Sequence, residues 1–281
     1  MEELRQKFPP MRQDREYKLA FIGGGKMGGA LIEGVLAGDE VAPSELLVVE
    51  VDPTRAQYWR QKGLTVADNP LAALEAPLVV LAVKPYVWPQ VAATLKGRLA
   101  DEQVVISIIA GQSTDSLQRA LAHRQIARVM PNLPAQVGKG MSVWTGEELS
   151  LEDRAAVEKL LESVGRALYV NSDHLVEVAT AISGSGPAYQ YLFMEALIEA
   201  GVRLGLTWDE ARSLTLYMCQ GAVDLAIESG SPLSLLRQQV TTPGGTTAAA
   251  LYALEEGGLR ATLSRAAQAC YQRSRELGAD H

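Results

Sequence analysis

A short apolar run, Lys18-Leu19-Ala20-Phe21-Ile22, stops at three consecutive glycines, and a helical pattern begins within a few residues. This junction constrains the fold more than any other part of the chain. The run lacks polar alternation, which suits a strand covered on both faces. Gly23, Gly25 and Gly28 follow it in G-x-G-x-x-G spacing. Gly23 permits a tight turn, Gly25 lets a pyrophosphate approach the backbone, and Gly28 lets the next helix pack on the strand. Set between a strand and a helix over 28–36, the pattern predicts a dinucleotide site rather than a plain turn.

The same alternation continues to about residue 170. Leu46 to Val51 reads as a second strand, followed by a helix from Pro53 to about Gln61. Leu78 to Val83 and Val104 to Ile109 are further buried runs, and Arg128-Val129 ends another. Strand–helix alternation implies right-handed βαβ units and an open parallel sheet. After about Asn171 strand-like runs nearly vanish. Helical patterns follow over roughly 187–204, 208–229, 232–239, 247–255 and 258–277, with Thr207 and Ser231 as expected N-caps. The expected organisation is a charged flexible tail over 1–16, an α/β dinucleotide-binding domain over 17–170 and an all-α domain over 171–281. The segment Tyr189 to Ile198 is apolar around most of its circumference, more than a small helical domain can bury, which predicts a subunit interface.

Composition excludes several classes. The chain has 281 residues, 47% of them hydrophobic and 21% charged, so it buries real cores. A net charge of −7 argues against nucleic acid or an anionic membrane as partner. No uninterrupted apolar run is long enough to span a bilayer, and the expectation is a soluble cytoplasmic protein. Cys219 and Cys270 lie among apolar and small residues and read as reduced thiols. The histidines, His123, His174 and His281, sit in no motif and are expected in surface or capping roles. No metal-ligand spacing, G-x-S-x-G elbow or P-loop occurs. Such an inventory suits a reaction that needs no strong side-chain base, such as hydride transfer to an imine.

Ligands of doubly wound sheets bind beyond the carboxyl ends of the strands. Glu50 and Asp52 end the second strand; either can read a free ribose 2′-hydroxyl, and both lean toward NADH. Arg55 keeps NADPH open. Lys84 and Pro85 end the third run, Ala110 the fourth, and Asn132 follows the next within Met130-Pro131-Asn132. Lys84 and Asn132 are also readable as a solvated charge and a turn residue. A polar loop, Thr241-Thr242-Pro243-Gly244-Gly245-Thr246-Thr247, interrupts the helical half. It reads either as an anion cradle before a helix or as a turn with a threonine cap.

Taken together, Phe21 to Met27, Leu81 to Pro85, Ile182-Ser183-Gly184-Ser185-Gly186-Pro187-Ala188-Tyr189, Val240 to Thr247 and Leu254 to Arg260 resemble the pyrroline-5-carboxylate reductase family. The resemblance runs in order from about residue 18 to 278. It implies a Rossmann-type dinucleotide-binding domain followed by an all-α dimerisation domain that interlocks with a second copy, in a dimer or a ring of dimers. It implies reduction of 1-pyrroline-5-carboxylate to L-proline with NADPH or NADH, NADPH being the commoner family cofactor. Carried over residue by residue, the cofactor contacts are Ile22, Gly23, Gly24, Gly25, Lys26, Met27, Asn69, Val83, Lys84, Ala110 and Asn132. Gly28, Glu50, Asp52 and Pro85 join them from the reading of the glycine turn and strand ends, the two acids standing where family members commonly have Ser, Asn or a basic residue. The substrate contacts are Ser183, Thr242, Gly244, Gly245, Thr246 and Thr247, with the Thr247 hydroxyl at the ring nitrogen and backbone N–H groups of Gly245, Thr246 and Thr247 on the carboxylate. Two rivals are a hydroxy-acid dehydrogenase and a non-catalytic NAD(P)-binding sensor. The first needs a lysine base, and no lysine follows Lys159.

Overall fold

In the computed structural model residues 17–38 and 41–279 are described; the expected tail over 1–16 and His281 lie outside them. The chain begins β1 (Leu19–Ile22), α1 (Lys26–Ala37), β2 (Leu46–Val49), α2 (Pro53–Gln61), β3 (Thr65–Ala67), β4 (Leu78–Leu81) and α3 (Trp88–Leu95). It continues β5 (Val104–Ser107), α4 (Thr114–Leu121), β6 (Ile126–Met130), β7 (Gly140–Thr145), α5 (Leu151–Glu162) and β8 (Gly165–Tyr169). The remainder is helical: α6 (Asp173–Ala179), a π-helical turn (Thr180–Gly184), α7 (Gly186–Arg203), α8 (Trp208–Ser229), α9 (Leu233–Gln239), α10 (Thr246–Glu256) and α11 (Leu259–Ala279).

The eight strands form one sheet in the order β3-β2-β1-β4-β5-β6-β7-β8. The order reverses at β1, which pairs with β2 through Leu19↔Leu46 and with β4 through Leu19↔Leu78. The continuous apolar runs are explained by burial on both sides. Leu19 and Phe21 of β1 enter one core layer; Ala20 and Ile22 enter the other. The first layer holds Leu31 and Ile32 of α1 and Leu160 of α5; the second holds Trp88 of α3 and Leu117 of α4. Each fully buried Leu, Ile or Phe contributes about 1.5–3 kcal/mol, so these two layers dominate the stability of the sheet.

The sheet departs from the expected all-parallel form. β7 runs antiparallel to β6, and β8 is again parallel to β7. Only residues 131–139 separate β6 from β7, occupied by a single 3-10 turn (Leu133–Val137). A parallel return needs a longer crossover, usually through a helix, so the chain doubles back.

Contacts divide the chain into two compact units. The first ends at Ser185 and takes back residues from Cys270 onward; the second is Gly186–Ala269. The expected division at residues 170/171 marks the end of the sheet. The first unit extends further because α6 packs on β6 and β7. Within the second unit α7 packs on α8, where a Cβ at Gly201 would lie 3.0 Å from the Ala211 Cβ. Thr207 caps α8 in a reciprocal box with Glu210. Ser231 does not cap α9. Pro232 takes the cap position, its ring-fixed φ of −53° leading into the first helical residue Leu233.

His123 also departs from the surface or capping role expected for it. It is 6% exposed, and its Nε2 lies 2.6 Å from the Gln103 carbonyl oxygen. The left-handed Ala122 at the end of α4 turns the chain inward there. His174 sits in the first turn of α6 with Nδ1 3.3 Å from the Tyr271 hydroxyl. Both cysteines are free and half-buried.

Candidate active site

The turn after β1 is built by close approach. Gly23 has φ +105°, and a Cβ there would lie 2.7 Å from the Ala82 carbonyl oxygen at the end of β4. A Cβ at Gly28 would lie 2.9 Å from the Ala82 Cβ. Any larger residue at either position would push α1 off the sheet. The helix starts at Lys26, two residues before the expected start, because Gly25 serves as its cap without a side-chain hydrogen bond. Helix geometry therefore leaves the first N–H groups of α1 with no intrahelical acceptor.

The Gly24 peptide is held from both sides. Its N–H donates to Glu50 Oε2 at 3.0 Å, and its carbonyl accepts from Trp59 Nε1 at 3.3 Å. The other Glu50 oxygen accepts from the Asp52 N–H at 2.9 Å. Glu50 is thus fixed at the end of β2 while keeping acceptor capacity for a ligand hydroxyl. Sequence reasoning missed Trp59. Nothing local marks it, since its contact spans 35 residues.

A cleft of about 570 Å³ opens where β1, β2, β4 and β5 end. Of the expected cofactor residues it gathers Ile22, Gly23, Gly25, Lys26, Met27, Glu50, Val83, Lys84, Pro85 and Ala110. Arg55, Asp68 and Gln136 line it as well. A Cβ at Gly25 would lie 3.0 Å from Arg55 Nη1, so a cation stands over the glycine turn. Lys26, Arg55 and Lys84 supply positive charge for an anion; Glu50 and Asp68 supply acceptors. These residues fit a dinucleotide: a tight turn with free N–H groups, flanking cations and a fixed carboxylate one strand away.

The other expected residues stand apart from the cleft lining. Gly24 and Gly28 form the buried underside of the turn. Asp52 caps α2 by accepting from the Arg55 N–H at 2.9 Å. Asn69 caps the 3-10 turn Pro70–Glu75 by accepting from the Leu71 N–H at 3.0 Å. Asn132 is 8% exposed and spends its amide on Met141 and Ser183. The Ser183 hydroxyl bonds back to the Ala179 carbonyl at 3.1 Å.

In the second unit, the loop over 241–245 leads into α10. Gly244 has φ +69°, and the Gly245 N–H donates to the Thr242 carbonyl at 3.0 Å. That donor, expected on a substrate carboxylate, closes the turn instead. The α10 cap is Gly245 with no side-chain hydrogen bond, not a threonine. The N–H groups of Thr246, Thr247 and Ala248 are therefore left without intrahelical acceptors. By contrast α2, α4, α5, α6 and α8 are each closed by their own Asp, Ser or Thr side chain. Thr247 is half-buried beside the open donors.

Comparison with known proteins decides the family. Residues 173–277 match the model of pyrroline-5-carboxylate reductase dimerisation, and residues 18–111 match that of NADP oxidoreductase, coenzyme F420-dependent. The pyrroline-5-carboxylate reductase of Corynebacterium melassecola is 42% identical over 267 residues, covering 92% of this chain and 98% of that protein. The chain belongs to the pyrroline-5-carboxylate reductase family. Two solved pyrroline-5-carboxylate reductases share its fold over nearly their whole length. That of Coxiella burnetii matches at TM-score 0.88 and 35% identity, covering 93% of this chain and 98% of its own. That of Plasmodium falciparum, with NADP bound, matches at TM-score 0.82 and 30% identity, covering 94% and 99%. The pyrroline-5-carboxylate reductase motifs of this chain thus fall into two sets: the glycine turn and strand ends of the first unit, and the Pro-Gly-Gly-Thr turn of the second.

Proposed function

We propose that this chain reduces 1-pyrroline-5-carboxylate to L-proline, the reaction of its family, by means of two backbone anion sites at uncapped helix starts. The enzyme is an NAD(P)H-dependent oxidoreductase acting on a C=N bond. One observation carries the assignment of the sites: α1 and α10 both begin on a glycine with no side-chain cap, behind a glycine turn. The α1 start holds the cofactor pyrophosphate, with Lys26, Arg55 and Lys84 beside it. The α10 start holds the substrate carboxylate through the N–H groups of Thr246 and Thr247. The Thr247 hydroxyl bonds the ring nitrogen and steadies the imine carbon. When bound, the dinucleotide supplies the hydride. The protonated imine accepts it and becomes the secondary amine of proline, so the protein's share is positioning and electrostatics.

Glu50 favours NADH. Its carboxylate is pinned by two backbone N–H groups, so it cannot swing away from a ribose 2′-phosphate without releasing Gly24. The second unit serves as a homodimer interface, with a ring of dimers as the larger assembly. The two free cysteines suit the reducing cytoplasm.

The test follows NADH and NADPH oxidation with racemic pyrroline-5-carboxylate. Turnover is expected, faster with NADH. No turnover with either cofactor sinks the reaction; a preference for NADPH above roughly a hundredfold sinks the role of Glu50. Thr247→Ala should lower kcat/KM about ten- to a thousandfold, the range for losing one preorganised donor. Wild-type kinetics would remove Thr247 from the site.

A further inference from the structure

Two motifs of the first unit interlock where sequence reasoning treated them separately. Asn132 Nδ2 donates to the Ser183 carbonyl at 3.0 Å, and Asn132 Oδ1 accepts from the Met141 N–H at 2.9 Å. The two partners fix the amide orientation, because a flipped amide would set oxygen against oxygen. Two residues before it, Met130 seats on Gly184: a Cβ at Gly184 would lie 3.1 Å from Met130 Cε.

The Ser183 carbonyl needs that donor. In a continuing α-helix it would accept from the N–H of residue 187, but residue 187 is proline and has none. The chain widens here into a π-turn, closed by the Ser185 N–H on the Thr180 carbonyl at 2.8 Å. Such turns gather at functional sites. Asn132 supplies from the end of β6 the hydrogen bond that Pro187 withholds. It also opens the 3-10 turn whose Leu133 and Gln136 line the cofactor cleft.

We propose that Asn132 is a positioning residue. It joins the wall of the cofactor cleft to the Ser183–Ser185 segment and so sets the place of Ser183, without contacting the cofactor. The idea rests on the reductase reading, which puts Ser183 at the substrate. It departs from a cofactor contact, the role the family resemblance implies for Asn132.

The experiment compares wild type, Asn132→Asp and Asn132→Ser. Asn132→Asp keeps the acceptor for Met141 and loses the donor for Ser183; Asn132→Ser loses the reach without adding a buried charge and guards against misfolding. Expected are a fall of tenfold or more in kcat/KM for the imino acid, an NADH Kd within twofold by fluorescence titration, and faster amide exchange over 184–186. Adding Pro187→Ala to Asn132→Ser restores an N–H within the Ser183 carbonyl's own helix. It should recover at least half of the lost kcat/KM on a logarithmic scale. A tenfold rise in NADH Kd, unchanged kcat/KM, unchanged exchange or absent recovery each overturns the assignment. If the wild-type protein reduces no imino acid, the reductase reading fails, while exchange over 184–186 still decides whether Asn132 holds that segment.

Discussion

The two units bury their apolar residues in opposite ways. Every residue of β1, β2, β4 and the first half of β6 is buried. In the second unit α9 and α10 bury none, and the α7 side chains of Tyr191, Leu192 and Phe193 are 48%, 68% and 44% exposed. Both units are rich in aliphatic residues, so hydrophobicity alone does not distinguish them. The sheet completes its core within one chain, because helices cover both faces. The helical unit does not, and a patch this apolar marks a surface made for another protein surface. Residues 173–277, which include this surface, match a dimerisation model, and that match supports the proposal of a second copy as its partner.

Three changes separate the two behaviours. The largest effect belongs to the self-sufficient unit. Phe21→Ala empties a site that is fully buried in the first core layer. It should cost about 3–5 kcal/mol, a large part of a domain's net stability of about 5–15 kcal/mol. Urea unfolding followed by far-UV circular dichroism measures it. A loss under about 1 kcal/mol would mean that the layer repacks freely.

Next is the dependent unit. Leu192→Glu places a charge on the exposed face of α7. A hot-spot loss of about 2 kcal/mol is counted twice in a two-fold interface, so dimer dissociation should strengthen roughly a thousandfold. Sedimentation should show monomer while NADH binding to the first unit persists. An unchanged dimer would remove the α7 face from the interface.

The smallest effect lies on the outside of the first unit. Burial alone would raise Glu33, but hydrogen bonds from Lys62 and Tyr58 outweigh it and hold its carboxyl below the usual range. The stabilisation is therefore complete above the ordinary glutamate value of about 4.3 and fades as pH falls through the lowered folded value. Glu33 and Lys62 are 40% and 37% exposed, so solvent screening keeps the pair below about 1 kcal/mol. Glu33→Gln should lower Tm slightly at pH 7 and leave it unchanged near pH 2. An equal drop at both pH values would assign the effect to packing.

Legibility followed the range of the interactions. Gly23, Gly25 and Gly28 were readable because turn, approach and helix packing all fall within six residues. From α7 onward the helices were readable to within a residue or two, since period and caps such as Thr207 with Glu210 are local, whereas the short α6 and the π-turn after it were not among the expected helices. β7 and β8 were missed. Gly140 to Thr145 and Gly165 to Tyr169 are short, and β8 alternates buried and open positions without a strong apolar run. The roles of Asp52 and Asn69 divided for the same reason: each stands near a strand end, and only geometry shows each side chain spent on the N–H of a following turn.

By itself the sequence determined the strand–helix alternation, the glycine turn and the helical half, each of which depends on neighbours a few residues apart. The uncapped starts of α1 and α10 came from the structure. Only the tertiary structure decided the antiparallel reversal at β7, the clamp of Glu50 and Trp59 on Gly24, and the bond from Asn132 to Ser183. Those contacts join residues 26, 35 and 51 positions apart. No local pattern encodes such pairs, because packing and the need to satisfy buried backbone groups choose them.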